Sequence, residues 1–433
     1  MIRGSRLISN VLGSTFYKGI NILFGFLLVR FTIDFAGEEK YGIWLTLLSF
    51  FTWFSALEVG IGNSFRNQIT RFFTSKDFTQ IRSTLAKAYK GLLLVYFAVV
   101  VLLLVATIFF PVEGFFVPDQ DVYPDFGLVF NVCAALYIFH FVFAFLNTVL
   151  LAVHKATTTF LISAVQNGIL LAGVILFKQA SFSPSLALIC IWFSGVPLLV
   201  WSVFTLGAYN SFLKELKPGF KAVFQEDHRL FKRVNTAFLL MQLCTLVIFT
   251  TDNLIIVYFL SSGAEVARYN IVFKYFNILT VIFNLILVPY WASFTEAVQQ
   301  RDKSWVVKHI NLLMLVLGVL TVLGAFMIYF SEHAFELWLG KELEVSWLLI
   351  ATMCLSVLLT AWNNIFSYFL NSVGVTRLQA ILLLISAAFN VPLSIVLIGH
   401  YGSAGVIMAT VIALLPLSVA LPIRYRQFVK TMV

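Results

Sequence analysis

Five ionisable side chains, Lys18, Arg30, Glu58, Asp252 and Lys274, interrupt apolar stretches long enough to cross a bilayer. A charge near the bilayer centre costs roughly 2.5–3.5 kcal/mol on insertion scales, so one that is kept there faces protein or water and marks function by default. A deep lysine or arginine suits an anion such as a phosphate, whereas a carboxylate suits exchange of a proton or a sodium ion. Lys18, which has no obvious partner in its own helix, is the first candidate for binding an anion, with Lys274 and Arg30 beside it. Asp252 and Glu58 are the candidates for ion or proton coupling. Plainer readings stand next to these: Arg30 is spaced to pair with Asp34, Glu58 with Arg66, and Asp252 with Lys274 across a tight hairpin.

Polar neighbours share faces with these charges. At about 100° per residue, Asn10, Ser14, Lys18, Asn21 and Gly25 fall in one sector of the first apolar stretch. Asn270, Lys274, Asn277 and Asn284 do the same in the eighth, and Asn235, Gln242 and Asn253 group with Asp252 in the seventh. Such a stripe faces either a wet cavity or another helix. On the cavity reading Asn21, Asn270 and Asn277 join the candidate binding residues.

Other chemistries find no foothold. Cys133, Cys190, Cys244 and Cys354 each fall inside an apolar stretch, form no C-x-x-C pair, and read as small apolar fillers. The six histidines are scattered, without H-E-x-x-H or clustered ligands, so no metal is expected. There is no G-x-x-x-x-G-K-[ST] loop, and Gly60-Ile61-Gly62-Asn63 reads as a helix end rather than a phosphate cradle. No cofactor is expected, apart from a proton or sodium ion as coupling species.

The elements that must position the charges follow from composition. Of 433 residues 60% are hydrophobic and 11% charged, and the mean hydropathy is +0.94; so little charge cannot cover a water-soluble protein of this length. Apolar windows predict an all-α polytopic membrane protein of about twelve helices, near 11–33, 41–62, 87–110, 127–152, 158–177, 184–207, 236–260, 268–290, 307–330, 346–370, 378–399 and 404–423. The first is too long for a signal-peptide core and reads as a retained helix. Basic residues fix the orientation. They cluster at Arg66, Arg71, Lys76, Arg82, Lys87 and Lys90, at Lys214, Lys217, Lys221, Arg229, Lys232 and Arg233, and at Arg424, Arg426 and Lys430. The alternate loops are acidic, with Asp119, Asp121 and Asp125 before the fourth helix and Glu332, Glu336, Glu342 and Glu344 before the tenth. Both termini are therefore expected on the cytoplasmic side, with Arg66 and Lys90 as candidate entry residues there. The net charge of +9 is explained by these loops, or by anionic lipid at the surface, and does not suggest nucleic acid.

The two halves echo each other. Phe145-Leu146-Asn147-Thr148-Val149 ends the fourth helix and Phe369-Leu370-Asn371-Ser372-Val373 the tenth; Leu161-Ile162-Ser163-Ala164 recurs as Leu384-Ile385-Ser386-Ala387. Six helices return the chain to its starting side, so the repeat is parallel, with its axis along the membrane normal. The expected organisation is an N-terminal six-helix bundle at 1–210, a basic cytoplasmic linker at 211–233 and a C-terminal bundle at 234–433. Two such bundles facing each other would enclose a cleft lined by helices 1, 2, 7 and 8, which makes transport the leading class.

Tyr41-Gly42-Ile43-Trp44 through Leu57-Glu58-Val59-Gly60-Ile61-Gly62-Asn63, then Thr251-Asp252-Asn253-Leu254-Ile255-Ile256, Tyr269-Asn270-Ile271, Leu370-Asn371-Ser372-Val373-Gly374, Asn390 and Tyr401-Gly402-Ser403-Ala404-Gly405 together resemble the bacterial polysaccharide transporters. These are the O-antigen and lipid-linked oligosaccharide flippases of the multidrug/oligosaccharidyl-lipid/polysaccharide exporter superfamily. The resemblance is diffuse, covers nearly the whole chain and carries no universal catalytic motif. It implies movement of undecaprenyl-diphosphate-linked oligosaccharide from the cytoplasmic to the outer leaflet of the bacterial inner membrane, with glycan polymerase or glycosyltransferases as candidate partners. Twelve helices set the chain apart from the peptidoglycan-precursor flippases, which typically carry fourteen. A drug or metabolite antiporter of the same superfamily would want an acidic cleft for cationic substrates, whereas the deep lysines here match the acids. A membrane-embedded glycan-assembly enzyme usually carries a long exterior loop with arginines, and these exterior loops are short and acidic.

Overall fold

The computed structural model describes residues 2–117, 123–219 and 236–432. Most of the linker expected at 211–233, with Lys221, Arg229, Lys232 and Arg233, lies outside the described residues. The chain divides into two compact units, Met1–Asn235 and Thr236–Val433. The first holds α1 (Ile2–Thr52), α2 (Ser55–Thr74), α3 (Phe78–Phe109), the short α4 (Glu113–Phe116), α5 (Phe126–Ala144), α6 (Leu146–Ala152), α7 (Ala156–Gln179) and α8 (Leu186–Asn210), followed by a 3-10 turn at Lys214–Leu216. The second holds α9 (Thr236–Leu260), α10 (Gly263–Leu287), α11 (Tyr290–Gln299), α12 (Lys303–Tyr329), α13 (Ser331–Leu339), α14 (Trp347–Ser372), α15 (Arg377–Tyr401) and α16 (Ser403–Thr431).

Among the described residues eleven helical segments are long and apolar enough to span a membrane. The first of them, Gly13–Thr52, is 40 residues long. Straight, it would reach roughly 60 Å, twice the hydrocarbon thickness. It is broken at Gly37, where φ is 84° and ψ 163°, a backbone open to glycine and closed to residues with a Cβ. The segment thus holds both of the first two expected spans. The second does not run unbroken to residue 62 as expected: the helix stops at Thr52, and a turn at Trp53 and Phe54 leads into α2. The third span starts earlier than expected because the Asp77 carboxylate accepts from the Gln80 amide, 3.1 Å, and caps α3 at Phe78.

The repeat is written into the turns. In the first unit positive φ angles fall at Gly37, Lys76, His154 and Ser181; in the second, Ser261, Arg301, Gly374 and Gly402 answer them at offsets of 220 to 225 residues, while Gly340 has no counterpart among the described residues. The surrounding bonds match as well. Asp77 caps α3 as Asp302 caps α12 through the Trp305 amide, 2.9 Å. The Lys155 amide donates to the Leu150 carbonyl as that of Val375 does to Leu370, both at 2.8 Å. Chance matching in apolar sequence does not place left-handed residues in the same order between the same helices.

Small residues let helices touch where lipid supplies no hydrophobic driving force between them. A Cβ on Gly13 would stand 2.9 Å from the Thr157 Cγ2, and one on Gly405 only 2.3 Å from the Leu397 carbonyl oxygen. Aromatic side chains contribute to the first unit's core, where Phe50, Phe51, Phe116, Phe130 and Tyr137 meet in edge-on, tilted and stacked ring contacts.

Candidate functional site

In the second unit the buried carboxylate finds a hydroxyl. Asp252 on α9 is 3% exposed, and its Oδ2 accepts from the Tyr269 hydroxyl of α10 at 2.5 Å. Its Oδ1 has no hydrogen-bond partner among the described residues. One turn of the same hairpin adds a second tie: the Asn270 amide donates to Asn253 Oδ1 and to the Val266 carbonyl, each at 2.8 Å. The ion pair expected between Asp252 and Lys274 is therefore replaced by a carboxylate–phenol bond. Helix geometry gives the reason. Five residues separate Tyr269 from Lys274, about 140° around the axis, so only Tyr269 lies on the face buried with Val272, Phe276, Leu279 and Phe283. Lys274 lies on the far side of α10 and Asn277 between the two faces, both half-buried.

In the first unit the polar stripe of α1 is turned onto α7. The Ser14 and Thr157 hydroxyls stand 3.3 Å apart, and the Asn167 amide donates to Asn21 Oδ1 at 2.8 Å. Between them the half-buried Lys18 holds its ammonium 4.6 Å from the centre of the Phe160 ring, a cation–π arrangement. Of the two meanings open to such a stripe, helix pairing is the one seen at Ser14, Asn21 and Asn270. The ammonium of Lys18 has an aromatic face beside it and stays partly exposed. Arg30 is exposed and is not paired with Asp34; that carboxylate meets Lys178 at the end of α7 instead, an exposed pair that adds little to stability.

Arg66 on α2 is exposed and Lys90 on α3 half-buried. The side chain of Glu58, like those of Asn10 and Asn235, lies outside the described residues. Sequence reasoning passed over Tyr269 as the partner of Asp252 and Phe160 as the partner of Lys18. It also passed over His140, whose buried ring is enclosed by Tyr137, Phe141 and Trp201. Spacing exposes Tyr269 once the buried face of α10 is drawn, whereas Phe160 and Trp201 come from other helices, and no single-helix pattern announces them.

This arrangement, two six-span units with ionisable groups on membrane helices, has counterparts. No family model matches the chain. A curated protein of Salmonella typhi described as a "Putative O-antigen transporter" is 20% identical over 396 residues, covering 89% of this chain and 88% of its own. Among solved structures, an inward-facing multidrug resistance MATE family transporter of the MOP superfamily superposes with a TM-score of 0.74 at 14% identity, covering 95% of each chain. A MOP superfamily transporter from Pyrococcus furiosus, described as having a binding pocket of reversed polarity, superposes with a TM-score of 0.62 at 15% identity over 97% of this chain and 95% of its own. The class so defined is a multi-pass helical membrane protein with the fold these transporters share. The sequence likeness is to that O-antigen transporter description, and the fold is like that of the MATE structure.

Proposed function

We propose that the chain is a flippase of the bacterial inner membrane that moves polyprenyl-diphosphate-linked oligosaccharide from the cytoplasmic to the outer leaflet by alternating access. The observation that carries the reading is the likeness, along nearly the full length of both chains, to the Salmonella typhi protein described as a "Putative O-antigen transporter". It is supported by amines at Lys18 and Lys274 on membrane helices, which suit a diphosphate better than a cationic drug. In this reading Arg66 and Lys90 attract the anionic head group at the cytoplasmic surface, and Lys18 and Lys274 hold the diphosphate during transit, with Arg30 and Asn277 assisting. Asn21 and Asn270 fix the helices that carry the amines. Asp252, held by Tyr269 and with one oxygen unbonded among the described residues, exchanges a proton or sodium ion, and Glu58 is the second candidate for that exchange. Glycosyltransferases would supply the substrate and a glycan polymerase consume it; no nucleic acid and no organic cofactor take part.

The test is genetic and chemical. Deleting the gene should leave lipid-linked glycan accumulating in the cytoplasmic leaflet, inaccessible to a lectin or glycosidase applied from outside, and restoring the gene should clear it. Unaltered glycan export in the deletion strain removes the proposal. A second reading, an ion-coupled drug or metabolite antiporter, is favoured by the MATE fold together with the half-bonded buried carboxylate. Drug accumulation in the same deletion strain separates the two.

A further inference from the structure

A buried polar atom normally has a hydrogen-bond partner, and one that lacks it calls for a reason. In the second unit three such atoms share one level of one helix pair. The first is Asp252 Oδ1, whose companion oxygen is taken by Tyr269 of α10. The others are Asn390 Oδ1 and Ser394 Oγ of α15, on fully buried residues and without a hydrogen-bond partner among the described residues. α9 packs chiefly on α15, with lighter contacts to α10 and α16. The oxygen of Asp252 that does not meet Tyr269 is therefore enclosed by α15 and α16. Spans alternate in direction, so α9 and α15, the first and fifth of this unit, run the same way. Asp252 stands roughly 12 Å before the end of α9 at Leu260, and Asn390 and Ser394 roughly 16 and 10 Å before the end of α15 at Tyr401. The carboxylate thus falls between two residues that lie one turn apart on a single face. Thr410 of α16 holds the amide of the first: its Oγ1 accepts from Asn390 Nδ2 at 3.0 Å, which leaves the carbonyl oxygen as the unbonded end.

We propose that Asp252 Oδ1, Asn390 Oδ1 and Ser394 Oγ bind a dehydrated sodium ion inside the second unit; the proposal rests on the ion-exchange role given to Asp252 above and names the ion and its further ligands. All three atoms are hard oxygen donors, a set that suits alkali and alkaline-earth ions rather than softer transition metals. A single negative charge is on hand. Asp252 is the one charged side chain of α9, and neither α15 between Arg377 and His400 nor α16 between Ser403 and Ile423 adds another. A monovalent cation balances that charge, whereas a divalent one would leave a buried excess. A proton is the poorer fit. It would settle on one oxygen of Asp252 and leave the amide and hydroxyl oxygens of α15 as unbonded as before, which is costly in a dry interior. An ion among the three satisfies all of them at once. The closed setting, with every contributing residue buried, favours the smaller sodium over potassium.

The experiment reads binding without transport. The purified full chain is melted in detergent at constant ionic strength while sodium chloride replaces choline chloride, and again while potassium chloride does. Sodium should give a saturable rise in melting temperature of about 2–4 °C that potassium does not reproduce. Ser394→Ala, which removes one oxygen and little volume, should need about tenfold more sodium for the same rise. Asn390→Leu should lose the rise. Ser194→Ala takes an equally buried and unbonded hydroxyl from the first unit, and should keep the full response to sodium. An equal rise in all three salts overturns the proposal, because it reports ionic strength alone. A sodium response unchanged in Ser394→Ala also overturns it, because the ion then sits elsewhere, and this variant holds even if Asn390→Leu fails to fold. Flipping of lipid-linked glycan is measured separately in vesicles. Flipping without a sodium-specific rise sinks the ion site alone, whereas a rise that depends on Ser394 without flipping sinks the flippase reading and leaves the site.

Discussion

Asp252 and Lys274 show what single residues disclose and what they withhold. Their presence inside apolar stretches was legible from the sequence, because charges there are rare and costly. Their partners were not, since a partner is chosen by the direction of a side chain, and a few residues of helix reverse that direction. Two substitutions test the Asp252–Tyr269 bond. Tyr269→Phe leaves a buried carboxylate oxygen without its donor and should destabilise the fold by about 1–3 kcal/mol, read as a lower melting temperature in detergent. Asp252→Asn keeps an oxygen to accept from Tyr269, so it should melt close to the unaltered chain while transport loses its dependence on the pH or sodium gradient; a retained gradient dependence moves the coupling role to another group. For the amines, Lys18→Gln with Lys274→Gln should abolish transport while membrane expression stays intact. Unchanged transport would remove the diphosphate assignment.

Helices and their ends were legible to different degrees. The long apolar spans declared themselves because a bilayer demands about 20 apolar residues per crossing. The break at Gly37 falls between the first two expected spans; less visible were the stop at Thr52 and the short α11 and α13, where amphipathic segments of about ten residues carry no spanning signal. The glycines at these ends make sharp predictions. Gly405→Ala would drive a methyl into the Leu397 carbonyl and Gly37→Ala would strain a backbone only glycine adopts. Each should cost about 1–3 kcal/mol, seen as a fall in melting temperature and in yield of folded protein. Gly318→Ala, with open space at its Cβ, serves as the control and should change neither.

Across the whole molecule the internal repeat is the feature that sequence and structure state together, faintly in matched tetrapeptides and plainly in the order of left-handed turns. The charges do not repeat: Asp252 and Lys274 have no ionisable counterparts at matching positions of the first unit, where Leu28 and Phe50 stand. Duplication supplied a symmetric frame, and the ionisable groups then diverged, which is why the site could not be read by copying one half onto the other. Orientation follows from the basic loops, so single cysteines placed at Lys76 and Arg301 should react with a membrane-impermeant maleimide only from the cytoplasmic side, and one at Lys341 only from outside. The central claim, that this chain carries lipid-linked oligosaccharide across the bilayer, is tested most directly with purified protein in vesicles holding a fluorescent prenyl-diphosphate oligosaccharide. A quencher added outside should extinguish the inner-leaflet population progressively when the protein is present and leave it untouched in protein-free vesicles. Equal protection with and without the protein, under an imposed proton or sodium gradient, would contradict the account.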